Sequence, residues 1–455
     1  MWANKGVTKR TARQQAELAV RILDGRHAGD LIQRVSDELG TSAGSLGPVD
    51  MTRNPLRSAV DRLGRAYTRP SMVTGLGAEL ATLLGDYSAS TTIEKYAAAK
   101  GRPMPTVMSA TSQAALEYRL GACWAGVSIG WSERTSRITL EAVSPDCLEV
   151  TYASDDPFEP TVIRHTRLRQ PVEQSAWELS VDEYDLTDLA RPVYRVRRLT
   201  EQGGVDPDSA GRYMQQDLVG AAYPWRYQDG QPFHRIVITG DPRQPYRTNA
   251  LIEGTLRVAV LWSHWAAGVR DAGHPQRNVI GLRPAGLSAN TSTGEVGISL
   301  RPGDVLQWEH TNPDRPGEFH QWGPGFDPAI IGAAVRDYEA ALLSQLGLPT
   351  SMESTGGAPA ELEHEQLERA IKGTYSGCRR LDGEILRRAA AIASAQPGAT
   401  PIPEGPYGVL YGDEVEDALE AVAPEAPETP EAAGVAAEKP EAPMVGAEAD
   451  DPEED

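Results

Sequence analysis

The apolar positions of this chain change period more than once, and each change marks a different kind of element. Residues 8–39 have helix-forming composition, broken around 25–29, with Asp30 placed to cap a second helix. Asn54-Pro55 starts another helix, with proline at the first helical position and Leu56, Val60 and Leu63 on one face. Shorter helical patterns cover 77–86, 91–99 and 111–118. Short β-type runs then follow at 123–131, 137–143, 148–152, 161–168, 176–184, 193–199 and 233–239. Polar turns such as Ser144-Pro145-Asp146 and Asp155-Asp156-Pro157 separate them. A strand-rich module therefore follows a helical one.

Helical spacing returns over 248–271, where Leu251, Ile252, Leu256, Val258, Val260, Leu261, Trp262 and Trp265 make more than one side apolar. Such a helix is expected to be buried among neighbours, with both tryptophans in the core. Strands are predicted at 278–282 and 296–308, joined by a Gly/Ser/Thr/Asn-rich stretch. Residues 328–346 read as a helix with one narrow stripe, Ile331, Val335, Tyr338, Leu342 and Leu346. Arg336, Asp337 and Ser344 lie off that stripe. A polar loop, 350–360, precedes a long helical pattern at 361–395, which Gly373, Gly377 and Gly383 interrupt. Each glycine costs about 1 kcal/mol against alanine in a helix interior, so a kink or a close approach of another chain is expected there. From Gln396 onward Pro, Ala and Glu dominate, and the last forty or so residues are expected to remain disordered.

Charge sharpens this division. From Gly412 to Asp455 there are 16 acidic residues and one basic, Lys439, a net of −15. The preceding 411 residues carry 43 basic and 48 acidic, a net of −5. A mildly acidic body is unlike a protein that grips duplex DNA with a broad basic face. No apolar run reaches the roughly 18 residues of a membrane span. The first residues lack the apolar core of a signal peptide, so secretion is not expected. Cys123, Cys147 and Cys378 are few and far apart, which fits a reducing compartment rather than a disulfide framework.

Motifs with chemistry are scarce. No phosphate-loop or zinc-protease signature is present, and no cofactor is implied. Glu361, Glu363, His364 and Glu365 read as a solvated helix start, where acidic residues favour the dipole. Gly40-Thr41-Ser42-Ala43-Gly44 fits a nucleophile-elbow pattern but follows a helix and runs into further loop residues, the wrong context. Gln321 to Pro328 reads as a tight loop entering a helix through Asp327-Pro328. Trp308 and Trp322 flank residues 309–321 and are candidate anchors of a subunit interface.

The element order, together with three stretches, resembles the portal proteins of tailed bacteriophages. Residues 54–61 look like an N-terminal helix found in a branch of that family. Glu141-Ala142-Val143-Ser144-Pro145-Asp146 and the strand after it are similar to a stretch of its wing domain. Gly325-Phe326-Asp327-Pro328 through Gly347-Leu348-Pro349, then Ser354, Thr355, Gly356 and Gly357, resemble the second stem helix and tunnel loop. The loop departs from the more frequent Ser-Gly-x-Ser pattern.

The resemblance implies an α+β, portal-like fold: a helical and strand-rich wing at 1–247, a first stem helix at 248–273, a clip at 274–325 and a second stem helix at 326–349. A tunnel loop at 350–360, a crown helix at 361–395 and an acidic disordered tail at 396–455 would follow. It implies a non-enzymatic homo-oligomeric ring, typically a dodecamer, in the virion at one capsid vertex, assembled in the host cytoplasm. Double-stranded DNA would pass through it during packaging and ejection. Implied partners are the major capsid protein, terminase, a head–tail adaptor, and scaffolding or internal proteins, with no membrane. Met352, Glu353, Ser354, Thr355, Arg336 and Asp337 would face the DNA channel, and Trp308 and Trp322 the clip interface. The competing readings are a cytoplasmic enzyme with an unrecognised site and another head-completion or tail protein.

Overall fold

The computed structural model describes residues 12–39, 53–65, 71–74, 78–84, 110–156, 159–169, 177–199, 205–206, 218–243, 249–273, 276–280, 282–284, 308–310, 318–322, 327–345, 348, 358–415 and 417. Helices and strands are mixed along the chain, as the α+β expectation requires. Helices α1 (Ala12–Leu23), α2 (Ala28–Leu39), α3 (Pro55–Gly64), α4 (Ala78–Leu84) and α5 (Ala110–Ala122) come first, interrupted by strand β1 (Ser71–Thr74). The expected helix at 91–99 lies outside the described residues, as does the 40–44 motif.

Local chemistry explains where these helices begin. Asn54 caps α3, its Oδ1 accepting from Arg57 N at 2.9 Å, while Pro55 occupies the first turn. Such a cap contributes about 1 kcal/mol. The expectation that Asp30 caps α2 is corrected: the helix starts at Ala28, and Asp30 lies in its first turn. There its carboxylate receives Arg21 Nε and Nη2 at 2.9 and 3.0 Å, fastening α2 to the end of α1.

The centre of the fold is a three-stranded antiparallel sheet, in the order β10 (Ile236–Gly240), β2 (Trp124–Ser132), β3 (Arg137–Val143). Its middle strand is buried on both faces. Ala125, Val127 and Ile129 face the helices, with Ile138 and Leu140 beside them. Trp124, Val143 and Ile236 join a second core against the larger sheet. Gly240 begins the exit from β10 with φ +86°, and a Cβ there would sit 2.0 Å from the Cys123 carbonyl oxygen. Glycine meets both demands at that crossing.

The larger sheet is an antiparallel meander of β4 (Leu148–Tyr152), β5 (Pro160–Arg169), β6 (Glu178–Asp185), β7 (Val193–Leu199) and β8 (Val205–Asp206), with β9 (Leu218–Val219) also pairing β7. Tyr184, Tyr194, Tyr223 and Trp225 pack edge to face and tilted across it, with centroids 4.8–5.3 Å apart. Asp182 is buried beneath Arg169, whose Nη2 donates to it at 2.6 Å. On the opposite face Glu183 binds Arg164 at 2.7 Å and Arg195 at 2.9 Å, a cross-strand charge row.

The long helix α8 (Ala358–Ser394) runs across the helical side of the central sheet. It continues through all three glycines, correcting the expected interruption. A Cβ at Gly373 or Gly383 would meet nothing within 4 Å, whereas at Gly377 the Arg119 guanidinium occupies its place, 1.8 Å away at Nη1. Of the three only Gly377 has a close approach, and it comes from a side chain of α5 in the same chain, not from another chain. Arg388 Nη1 donates to the carbonyls of His234 and Ile236 at 2.7 and 2.9 Å, tying α8 to β10.

The expectation of disorder from 396 is also corrected. Residues 396–415 return over α8, and β15 (Gly408–Tyr411) pairs antiparallel with β1. Ile402, Val409, Tyr411 and Val415 are buried, and Tyr375 stacks on Tyr411 at 5.1 Å. Enough apolar surface therefore lies between the prolines to order this strap. The chain divides into two units, Met1–Val415 and Glu416–Asp455, and every element above belongs to the first.

Candidate functional site

Helix α6 (Asn249–Gly273) is apolar on several sides because it packs on several neighbours. Leu251, Ile252, Leu256, Val258, Ala259, Val260 and Trp262 are buried. Thr255 Oγ1 accepts the backbone N–H of Leu56 at 3.0 Å, satisfying a first-turn donor of α3 that its own helix leaves unpaired. Arg34 of α2 reaches Glu253 at 3.6 Å.

Helix α7 (Pro328–Ser344) starts as the sequence indicates, with Asp327 accepting from Ala329 N at 2.8 Å and Pro328 in the first turn. Its stripe turns inward: Val335 and Leu342 are buried, Ile331 and Tyr338 partly so. Two glycines set how closely α6 and α7 approach. A Cβ at Gly254 would lie 2.6 Å from Leu342, and one at Gly332 would lie 2.9 Å from Trp265 Nε1. Trp265 in turn packs edge to face on Trp262 at 5.0 Å.

The strands between the helices extend the same pairing. β11 (Gln276–Ile280) pairs antiparallel with β14 (Glu318–Trp322), from Gln276 opposite Trp322 to Ile280 opposite Glu318. β12 (Leu282–Pro284) pairs with β13 (Trp308–His310), from Leu282 opposite His310 to Pro284 opposite Trp308. The successive partners are 254 with 342, 265 with 332, 276 with 322, 280 with 318 and 284 with 308. Residues 249–344 are thus one nested excursion: out along α6, β11 and β12, and back along β13, β14 and α7. Of the strand expected at 296–308, only its last residue falls in a described strand, and 296–307 lie outside the described residues. The strand β14 was not anticipated.

The outward face of α7 is mostly small and nearly neutral, with Ile330, 68% exposed, as a large apolar exception. Ala329, Ile330, Ala333, Ala334, Ala341 and Ser344 are exposed, with one cation, Arg336, and one anion, Asp337. Arg336 Nε turns back to donate to the Gly332 carbonyl at 3.2 Å. Arg336 and Asp337 therefore share this exposed face. The backbones of Trp308 and Trp322 lie in β13 and β14, on the two successive strand pairs. Met352, Glu353, Ser354 and Thr355 lie outside the described residues. Sequence reading missed the two spacing glycines, although a glycine inside an apolar helix stripe signals such a contact.

Among the described residues no cluster of three or more His, Cys, Asp or Glu has metal-binding geometry. None of the described helices is long and apolar enough to cross a membrane. What the excursion offers chemically is a surface: a helix wall of mostly small side chains with balanced charge, ending in strand pairs.

No family model matches the chain, and no curated protein matches it. Among solved structures it is similar to an HK97 family phage portal protein from Corynebacterium diphtheriae, at 9% identity and a TM-score of 0.33, over 82% of this chain and 96% of that one. A TM-score this low leaves the assignment of the fold to the chain's own geometry.

Proposed function

We propose that this chain is the portal subunit of a tailed bacteriophage, a ring-forming protein through which double-stranded DNA enters and leaves the capsid. The observation that carries the reading is the nested excursion of residues 249–344, two packed helices continued outward by paired strands. In this reading α6 and α7 are the stem helices, the strands between them belong to the clip, and the elements before α6 form the wing. Residues 350–357 form the tunnel loop, with Met352, Glu353, Ser354 and Thr355 facing DNA, and α8, which begins three residues before the expected 361, forms the crown.

The physics of passage agrees with the wall. Helix α7 is about 25 Å long at 1.5 Å per residue, so copies of it arranged around an axis line a channel of that depth. Phosphate contacts by many cations release counterions and bind tightly, which would stall a moving duplex. Alanines and Ile330 with one Arg336 and one Asp337 per subunit offer no such grip. Closure of a ring needs heterologous interfaces between copies, and Trp308 and Trp322 supply apolar anchors for them at the clip. The clip end would dock terminase during packaging and the head–tail adaptor afterwards, and the major capsid protein would surround the wing.

Electron micrographs of the purified protein test this directly. Rings with a central hole are expected. A monomer or dimer across a wide concentration range in analytical ultracentrifugation, with no rings on the grid, would overturn the reading.

A further inference from the structure

The surface between α3 and α7 departs from the charge of the body. A groove of about 450 Å³ there is lined, among the described residues, by Arg53, Arg57, Arg62 and Arg65 and by two carboxylates, Asp61 and Glu339. The body outside the acidic tail carries a net −5, so four cations in one groove stand out. Asn54 and Ser58 complete the described lining, which holds no apolar or aromatic side chain among the described residues. Sites for small organic ligands are mostly apolar with a few polar groups. The described lining has the reverse composition, charged and polar without the apolar wall of such a site.

The arginines form a row. Arg57 and Arg62 lie in α3, Arg65 directly follows it, and Arg53 precedes its cap, so at helical rise the row spans roughly 15–20 Å. Arg53 and Arg57 are ion-paired. Arg53 Nη1 lies 3.7 Å from Glu339, with its guanidinium 5.0 Å over the Trp262 ring. Arg57 Nε lies 2.7 Å from Asp61, and its Nη2 lies 3.7 Å from Glu117. Arg57 and Asp61 are 43% and 49% exposed, and a pair that exposed holds together weakly; Glu339 and Glu117 are less exposed, but their oxygens lie 3.7 Å from the arginine nitrogens.

We infer that this groove binds the phosphodiester backbone of duplex DNA without reading its sequence. The guanidinium fork matches phosphate oxygens two at a time. Contacts to phosphate alone position a duplex and carry no base information. An acidic peptide would bring only the chemistry that Asp61 and Glu339 already supply. A duplex brings a condensed counterion atmosphere whose release drives binding. Asp61 and Glu339 compete with phosphate for the same arginines, so the contact is weak and reversible, which suits a polymer that must move on. The choice of duplex DNA as the polyanion rests on the portal reading; the groove's affinity for a phosphodiester backbone does not.

The test is binding of a labelled random-sequence duplex to the full chain, followed by fluorescence anisotropy over a salt series. The double variant Arg62→Gln, Arg65→Gln is expected to bind about 10-fold more weakly, with a log–log salt slope shallower by about 2. The opposite variant, Asp61→Asn with Glu339→Gln, is expected to bind about threefold or more tightly, a gain that misfolding does not produce. Unchanged affinity and slope in both variants would overturn the inference. So would displacement of the duplex by polyglutamate at matched charge, which would make the groove a surface for acidic protein. Micrographs of the same samples keep the two readings apart: rings without groove-dependent DNA binding sink only the groove, and groove-dependent binding without rings sinks only the portal.

Discussion

Asp382 accepts a hydrogen bond from Ser112 Oγ at 2.7 Å across 270 residues of sequence, inside the core. The Tyr411 hydroxyl donates to its other oxygen, so one carboxyl group joins α8, α5 and β15. Burial pushes this carboxyl up to about 7, with the two hydroxyls only partly offsetting the shift. The unfolded chain releases the same proton near its ordinary value of 3.8. Between those values the unfolded state binds fewer protons than the fold, so stability present at low pH is lost as pH rises towards 7, by at most about 4 kcal/mol. His165 and His234 act with the opposite sign. Burial lowers both to about 4, so the stability they contribute is present above 6.5 and lost as pH falls. Asp382→Asn removes the first effect and keeps the second. Scanning calorimetry should show the variant gaining melting temperature relative to the parent as pH rises from 4 to 7; parallel curves would contradict the account.

The approach of α6 and α7 depends on Gly254 and Gly332. A side chain at either collides with Leu342 or Trp265. Overpacking of this kind costs about 1–3 kcal/mol. Gly254→Leu and Gly332→Leu should each lower the urea midpoint accordingly and, in the portal reading, reduce ring yield. Midpoints within error of the parent would show that the two helices separate freely and would weaken the stem assignment.

Some of this architecture is legible in the sequence, for local reasons. Asn54-Pro55 and Asp327-Pro328 announce helix starts because cap and first turn are adjacent residues. The inward stripe of α7 and the many-sided burial of α6 follow from apolar spacing. What escapes is pairing at a distance. Strands β1 and β15 have four residues each and meet across more than 300 positions, so no local pattern marks either. Asp382 lies between Leu381 and Gly383 on a helix rich in charge, where nothing in the spacing tells a buried carboxylate from a solvated one. The arginine row of α3 is visible in the sequence, but the groove appears only when Glu339 arrives from α7.

The glycines of α8 separate two roles. Gly373 and Gly383 have open space where a Cβ would go, so alanine should stabilise the helix by about 0.5–1 kcal/mol at each. Gly377→Ala must push the Arg119 guanidinium aside and should gain less than either. Denaturant titrations of the three variants rank them. If alanine at 373 or 383 destabilises the protein, the uninterrupted α8 described above is not the form it holds in solution.

In the portal reading, deleting residues 351–357 should leave rings intact and impair DNA packaging or retention, because this segment follows the second stem helix and supplies the loop that meets DNA. Particles assembled with the deletion and carrying normal DNA content would remove Met352, Glu353, Ser354 and Thr355 from the channel.

The acidic C-terminus can be cut at two places with different consequences. Val415 is buried, Lys372 Nζ lies 2.6 Å from Asp413, and Arg379 pairs with Glu414, so residues 412–415 belong to the strap that closes over α8. Ending the chain after Tyr411 removes that apolar contact and both ion pairs, a loss of about 2–4 kcal/mol, most of it from Val415 because the pairs are exposed. Ending it after Asp417 spares them and removes 12 acidic residues and Lys439, a net of −11. The longer truncation should melt several degrees lower, and the shorter one with the parent. That separation makes the shorter cut the right instrument for function. In the portal reading, charge of this density would repel DNA within about a Debye length, near 8 Å at physiological salt, and would attract basic scaffolding or internal proteins. Particles built with the chain ending at Asp417 are therefore expected to change in DNA content or internal protein content at unchanged ring stability. If both contents match those of the full-length chain, the acidic segment serves solubility alone.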